Sequence, residues 1–413
     1  MEHTNNFVLI DEKHNEYPID IFFSSNQEIS YRFIFKQEKF QFLDRDTMWK
    51  YFHLIPLKNS KNILSLKEGH TPLARVPELE KFLNGAKFYC KNDGEGPTGT
   101  FKDREASYVI SKVKEMGLKK IAFHSTGNTG RSYSVYAKKA DIESFFFLPL
   151  NCMDKCDSSM INDNIHIIAV DADFNRVSEV VKSFSKKNDI AILAPLHDKL
   201  EGKATIAYEQ FSELPEATMF VQTIAGGYGI IGFLLGHERL RLFGLSSSNY
   251  KIPRIIAIQS ADNCTIARGM LVGKENISDS DLILPKNPFE KTLQSTNPLK
   301  TFAQVKNCLE KTNGLITVAS EEEIITLKNI FEEALARHNI GVSYENEKSP
   351  YISFAGLVNL AREKKINSSD IIYMLMTGKG RGDNITPNPE AIVKPDDNGY
   401  EIIKSSEYLR RML

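Results

Sequence analysis

Lys102 stands at the end of a glycine-rich turn in the segment GPTGTFKDREAS (96–107), where Asp103 and Arg104 open a helical pattern. An amine at the positive end of a helix and beside a guanidinium is expected to have a depressed pKa, which suits it to attack a carbonyl. A second segment, HSTGNTGRSYS (124–134), sets small hydroxyls and an amide between an apolar run and a helical pattern. Such a turn offers backbone N–H groups and hydroxyls to a carboxylate or phosphate. A third, TIAGGYGIIG (223–232), holds Gly226, Gly227 and Gly229 close together, so backbone can approach a bound group as a phosphate cradle requires. In a fourth, MTGKGRGD (376–383), Thr377 ends a strand pattern and can make one hydrogen bond through its hydroxyl. Each segment alone also has an everyday reading: an exposed lysine, a capped turn, tight helix–sheet packing, a surface turn.

The elements that must position these residues are legible from periodicity. KKIAFH, SFFFLPL, IHIIAV and IAILAP read as strands between residues 119 and 195, with a helix expected near Ser132–Lys139. ATMFVQTI, PRIIAIQS, LITVAS and DIIYMLM form a second series, with a helix running through Arg241. Continuous β-branched and aromatic runs alternating with helices indicate parallel strands buried on both faces. The fold class is therefore α/β, with two open, mostly parallel sheet lobes covered by helices. Three of the glycine turns follow His124, Ile224 and Met376, at the carboxyl ends of predicted strands, where such folds bind ligands. Before them, IDIFF, YRFIF and FQF read as strands, and DTMWKYF as a helical patch. The boundaries implied are an N-terminal extension over 1–60, a large lobe of 61–107 with 200–413, and a small lobe of 108–199.

Composition narrows the partners. Net charge is -1, with 25% charged residues and no long block of one sign, so neither nucleic acid nor an anionic membrane is indicated. The densest charged run, SEEEIITL, reads as a helix start capped by Ser320. Five scattered cysteines point to a reducing, cytoplasmic setting. Cys152 and Cys156 lack a second Cys or His pair at zinc spacing, so free thiols and no metal are expected. The N-terminus has no signal-peptide layout, and no apolar run is long enough to span a bilayer. There is no GxxxxGK[ST] and no GxGxxG followed by a suitably spaced acid, which argues against a P-loop or dinucleotide site.

Taken in order, the four segments resemble the threonine synthase branch of the fold-type-II pyridoxal-phosphate enzymes. SLKEGHTPLARV (65–76) is similar to that family's LGEGxTPL, DTMWKYFHLIPL (46–57) to its Trp-Arg-Tyr helix, LEGKATIAYEQ (200–210) to LEGQKTLAFE, and SFAGLVNL (353–360) to SxAGL. The resemblance implies pyridoxal 5'-phosphate as cofactor, held in a cleft between the lobes. It implies that Lys102 forms the Schiff base, that Asn128 hydrogen-bonds the ring hydroxyl and that Thr377 faces the pyridine nitrogen. Ala225, Gly226, Gly227, Tyr228 and Gly229 would cradle the cofactor phosphate. Ser125, Thr126 and Thr129 would take the substrate carboxylate. A homodimer is the family's usual state.

Departures bear on the substrate. The family reads GNTS or GNTA where this chain has Gly127-Asn128-Thr129-Gly130-Arg131, and Asn-Pro-x-Arg where it has Leu196-His197-Asp198-Lys199. Lys199 lacks the fork of arginine, and Asp198 would repel a phosphate. The GNTGR turn and the FK-x-x-EA helix start look closer to cysteate synthase, and Arg131 becomes a candidate for a second anion. The leading expectation is a lyase converting O-phosphohomoserine to threonine and phosphate in amino-acid biosynthesis, with Lys199 and Arg131 on the substrate. Cysteate-synthase-like β-replacement on O-phosphoserine, serine or threonine deamination, and a non-catalytic cofactor-binding homologue stay open.

Overall fold

The computed structural model describes residues 6–413 except 12, 20–28, 34–41, 194–195, 284, 286–287, 294–297, 381, 384 and 397–398. Its contacts divide the chain into two units, one of 1–68, 102–202 and 381–413, the other of 69–101 and 203–380.

Near the N-terminus β1 (Phe7–Asp11), β2 (Glu16–Tyr17) and β3 (Ile29–Phe33) form a small antiparallel sheet. The aromatic strands expected here fall partly outside the described residues. The DTMWKYF patch forms a 3-10 helix, Met48–Leu54, begun by the Thr47 side chain accepting from Trp49 N–H. Then come β4 (Leu73–Arg75), β5 (Lys87–Asn92), α1 (Lys102–Glu115), β6 (Lys120–His124) and α2 (Asn128–Lys139). They are followed by β7 (Glu143–Pro149), β8 (Ile165–Val170), α3 (Phe174–Asn188), β9 (Ala191–Ile192) and α4 (Leu196–Glu213). The second series is β10 (Met219–Thr223), α5 (Tyr228–Leu242), β11 (Arg254–Ser260), α6 (Pro298–Thr312) and β12 (Leu315–Ala319). It closes with α7 (Glu321–Ala336), α8 (Ser349–Arg362), β13 (Ile371–Met376), β14 (Ala391–Asp396) and β15 (Gly399–Ser405).

In the first unit six strands run in the order β15-β14-β8-β7-β6-β9 and are parallel except for β15. All six residues of β8, and all but the first of β7, are buried, because helices cover both faces. Phe123, Phe146 and Leu148 pack with Tyr108 of α1 and Tyr133 of α2 on one side. Ala122, Phe145 and Phe147 pack with Val177, Val181 and Phe184 of α3 on the other.

In the second unit the order is β12-β11-β10-β13-β5-β4, parallel except for β4. Its core joins Val221, Ile256 and Met374 of the sheet to Phe331 of α7 and Phe354 of α8. Ser320 caps α7, and Glu323 returns the bond in a capping box, as the sequence indicated.

The boundaries differ from the sequence reading, which ended the first segment at 60 where the first unit runs to 68. Residues 381–413 were expected with the large lobe, but Ala391–Val393 pair in parallel with Ile168–Val170 and bury Ala391 and Val393 in the first unit's core. Helix α1 also belongs whole to that unit, from Lys102 onward. IAILAP contributes only the two-residue β9, and its last two residues lie outside the described ones.

Candidate active site

In the first unit, β6 ends at His124, and the turn Ser125-Thr126-Gly127 leads straight into α2. The helix begins four residues earlier than expected, so Asn128, Thr129 and Arg131 occupy its first turn. Ser125 and Thr126 are buried, and Ser125 Oγ accepts from Gly127 N–H at 3.1 Å. No side chain caps the helix start, so the turn presents main-chain donors at the positive end of a dipole. Gly130 has a packing reason: a Cβ there would lie 2.3 Å from the Phe146 ring of β7. Burial, aided by Lys199 and Lys182, holds His124 down to about 3, and its Nδ1 is buried with no hydrogen-bond partner among the described residues.

Arg131 is 2% exposed. Its Nη1 lies 3.5 Å from Asp157 Oδ2, and its Nη2 donates to Asn128 Oδ1 at 3.4 Å. Asp198 is also buried, 3.0 Å from Lys112 Nζ and 3.3 Å from Tyr108 OH. The carboxylate that seemed set against a phosphate is thus neutralised inside α1 and α4. Lys199, one residue on, is half-buried in the first turn of α4.

Lys102 is the first residue of α1 and is half-buried. Two residues later the Arg104 carbonyl comes so close to α4 that a Cβ at Gly202 would lie 2.0 Å from it. The glycine of LEG therefore serves helix–helix contact. Glu68, of the KEGHTPL segment, is fully buried and takes hydrogen bonds from Ser107 of α1 and Tyr136 of α2. Ser107 in turn accepts from Trp49 Nε1 at 2.8 Å. Burial raises the Glu68 pKa. These motif residues are structural supports for the two helix starts.

In the second unit, β10 runs into Ile224-Ala225-Gly226-Gly227, and α5 begins at Tyr228. Gly227 has φ +82° and no side chain caps the helix. A Cβ at Gly227 would meet Val305 of α6 at 2.3 Å, and one at Gly229 would meet the Gln222 amide at 2.2 Å. Gln259 of β11 donates to the Ala225 carbonyl at 3.2 Å and accepts from Ala267 N–H. This bare backbone at a helix N-terminus fits a phosphate.

Thr377 follows β13 directly and is 7% exposed. Its carbonyl accepts from Phe101 N–H at 2.9 Å and from Thr100 Oγ1 at 3.1 Å, while its hydroxyl meets Ser349 Oγ at 2.8 Å. Gly99, at φ +71°, lies so close to Gly380 that a Cβ would be 2.7 Å from its carbonyl. The turn that delivers Lys102 is thereby stitched to the segment around Thr377. Farther along, Lys91 is buried against Glu209 and Glu213, which explains the glutamate of the YEQ motif as an ion-pair partner.

Gln222, Gln259, Ser349 and Asp157 were not singled out from sequence. The glutamines had a usable signal, since each interrupts an otherwise apolar strand and a buried amide needs partners. All five cysteines are free thiols. Among the described residues no helix is long and apolar enough to cross a membrane.

The chain is 27% identical over 375 residues to a threonine synthase of Methanocaldococcus jannaschii, covering 89% of this chain and 87% of the relative. It is 24% identical over 355 residues to a threonine synthase of Methanosarcina acetivorans, covering 84% and 82%. Among solved structures, maize serine racemase superposes with a TM-score of 0.58 at 20% identity, over 75% of this chain and 88% of that one. A threonine deaminase of Solanum lycopersicum superposes with a TM-score of 0.57 at 17% identity, over 83% and 87%. These neighbours share the fold-type-II architecture. The model of the pyridoxal-phosphate-dependent enzyme family matches residues 64–338, and the chain belongs to that family.

Proposed function

We propose that this protein is a lyase of threonine-synthase type that releases phosphate from O-phosphohomoserine and adds water at the β carbon to give threonine. The observation that carries the reading is the set of anion-ready helix starts at Asn128 and Tyr228, together with the Lys102 turn tied to Thr377. Likeness to threonine synthases over most of the chain supports it.

Bound pyridoxal phosphate supplies an electron sink that acidifies the substrate carbon atoms. Lys102 would carry the cofactor, and its amine would move protons at the substrate Cα and Cβ. Ser125, Thr126 and Thr129, with the N–H groups of their turn, hold the substrate carboxylate. Asn128 donates to the ring hydroxyl. Ala225 to Gly229 hold the cofactor phosphate, and Thr377 meets the pyridine nitrogen. A hydroxyl partner does not force that nitrogen to stay protonated, which favours prompt loss of a leaving group. Lys199 receives the substrate phosphate, and its neighbour Asp198 is already neutralised by Lys112.

Arg131, a candidate for a second anion, has its guanidinium beside Asp157 and Asn128. A cytoplasmic homodimer completes the reading. The test is phosphate release from O-phosphohomoserine, compared with O-phosphoserine, together with borohydride fixation of the cofactor. The label is expected on the Lys102 peptide and turnover on O-phosphohomoserine. A label elsewhere removes Lys102 from its role, and preference for O-phosphoserine replaces the assigned reaction.

A further inference from the structure

We infer that Arg131 is a positioning residue that fixes the direction of the Asn128 side-chain amide. The inference rests on the functional reading above and refines it.

Arg131 lies three residues after Asn128 on α2, a spacing that puts both side chains on one face of the helix. Its Nη2 donates to Asn128 Oδ1. A guanidinium has only donors, so the amide oxygen must turn toward it. The amide NH2 then faces the other way. An asparagine without such a neighbour can present either end. The contact also polarises the amide, and a charge-assisted partner makes the NH2 the stronger donor.

Arg131 is itself held. Asp157 Oδ2 lies 3.5 Å from its Nη1 and also accepts from Gly382 N–H at 2.9 Å. Asp157 Oδ1 accepts from Ser159 N–H at 3.1 Å. Asp383 accepts from both Ser158 N–H and Ser158 Oγ. The start of α2, the 157–159 turn and the 382–383 chain are thus joined around one guanidinium. A surface anion ligand would not be 2% exposed beside an aspartate that is itself 2% exposed. The fork geometry of arginine is what allows both contacts at once, and lysine has no such fork.

An amide NH2 aimed at the ring oxygen of the cofactor stabilises that oxygen as an anion. This favours the deprotonated state of the lysine-bound cofactor and lowers the pH at which its visible absorption changes. Arg131→Lys keeps a positive charge for Asp157 but cannot serve both partners. Arg131→Met combined with Asp157→Asn removes the buried pair without stranding a charge. In the holoenzyme each should raise the midpoint of the absorption change by about half a unit to one unit. In an Asn128→Ala background the same changes should leave the midpoint where Asn128→Ala alone puts it.

A merely structural role would lower the unfolding temperature without moving the midpoint. An unmoved midpoint in both variants overturns the inference. So does a shift that persists without Asn128, since Arg131 would then act by another route. A wild-type protein that takes up no cofactor on Lys102 would instead remove the functional reading, and this inference with it.

Discussion

The turns before α2 and before α5 share one plan, strand to glycine turn to uncapped helix start, yet they are furnished differently. The first is dense with side chains: two buried hydroxyls, an amide and a guanidinium held by an aspartate. The second is nearly bare, and its neighbours Gln222, Gln259 and Val305 press in from behind to shape main chain. Side chains can distinguish one substrate or one ring atom from another. Bare main chain at a helix N-terminus holds a phosphate whatever is attached to it. The same difference assigns opposite meanings to a glycine in each turn. Gly227 is needed for backbone at positive φ in its turn, whereas Gly130 is needed to admit the Phe146 ring.

The largest effect should come from Gly227→Val. A β-branched residue at positive φ costs of order 1–3 kcal/mol, and crowding Val305 adds to it. If the distortion falls on the cradle, about 3 kcal/mol is on the order of a hundredfold in cofactor affinity. Titrating cofactor-free protein with pyridoxal phosphate, followed by absorption, measures this. Equal affinity in wild type and variant would mean that this turn does not hold the cofactor.

Gly130→Ala should do the reverse. It drives a methyl group into Phe146, for a loss of about 1–3 kcal/mol of stability with the cofactor spectrum unchanged. Combining it with Phe146→Leu should cost less than the sum of the two single changes in urea unfolding, because the smaller side chain makes room. Additive losses would mean that the ring is not what excludes the methyl group.

The smallest effect concerns a buried histidine in the second unit. His237, on α5, is 2% exposed, and burial with a lesser push from Arg241 holds it down to about 3. Neither ring nitrogen has a hydrogen-bond partner among the described residues. Below the ordinary histidine pKa the unfolded chain takes up a proton that the native ring refuses, so stability is lost as pH falls from about 6.5 toward 3. At pH 5 that loss is about 2 kcal/mol. His237→Phe, which keeps the ring between Phe233 and Tyr250, should shrink the fall in unfolding free energy between pH 7 and pH 5 by about 1–2 kcal/mol. An identical fall in both proteins would show that His237 does not titrate in this window.

The sequence by itself determined the alternation of strands and helices over 119–195 and 217–376, the glycine turns at strand ends, the cap at Ser320 and the place of Lys102, but not the strands Leu73–Arg75, Lys87–Asn92, Ala391–Asp396 and Gly399–Ser405. These are local properties, since side-chain periodicity, φ freedom and capping act within a few residues. Tertiary structure decided what the charges mean. Arg131, a candidate anion ligand in the sequence, lies beside Asp157, 26 residues away. Asp198 looked repulsive until Lys112, 86 residues away, was found to neutralise it. Strand β14 likewise found its partner β8 in the first unit, more than two hundred residues earlier in the chain. Ion pairs and sheet edges are chosen by proximity in the folded chain, and buried charges must be matched there. No local pattern records which distant residue arrives to match them.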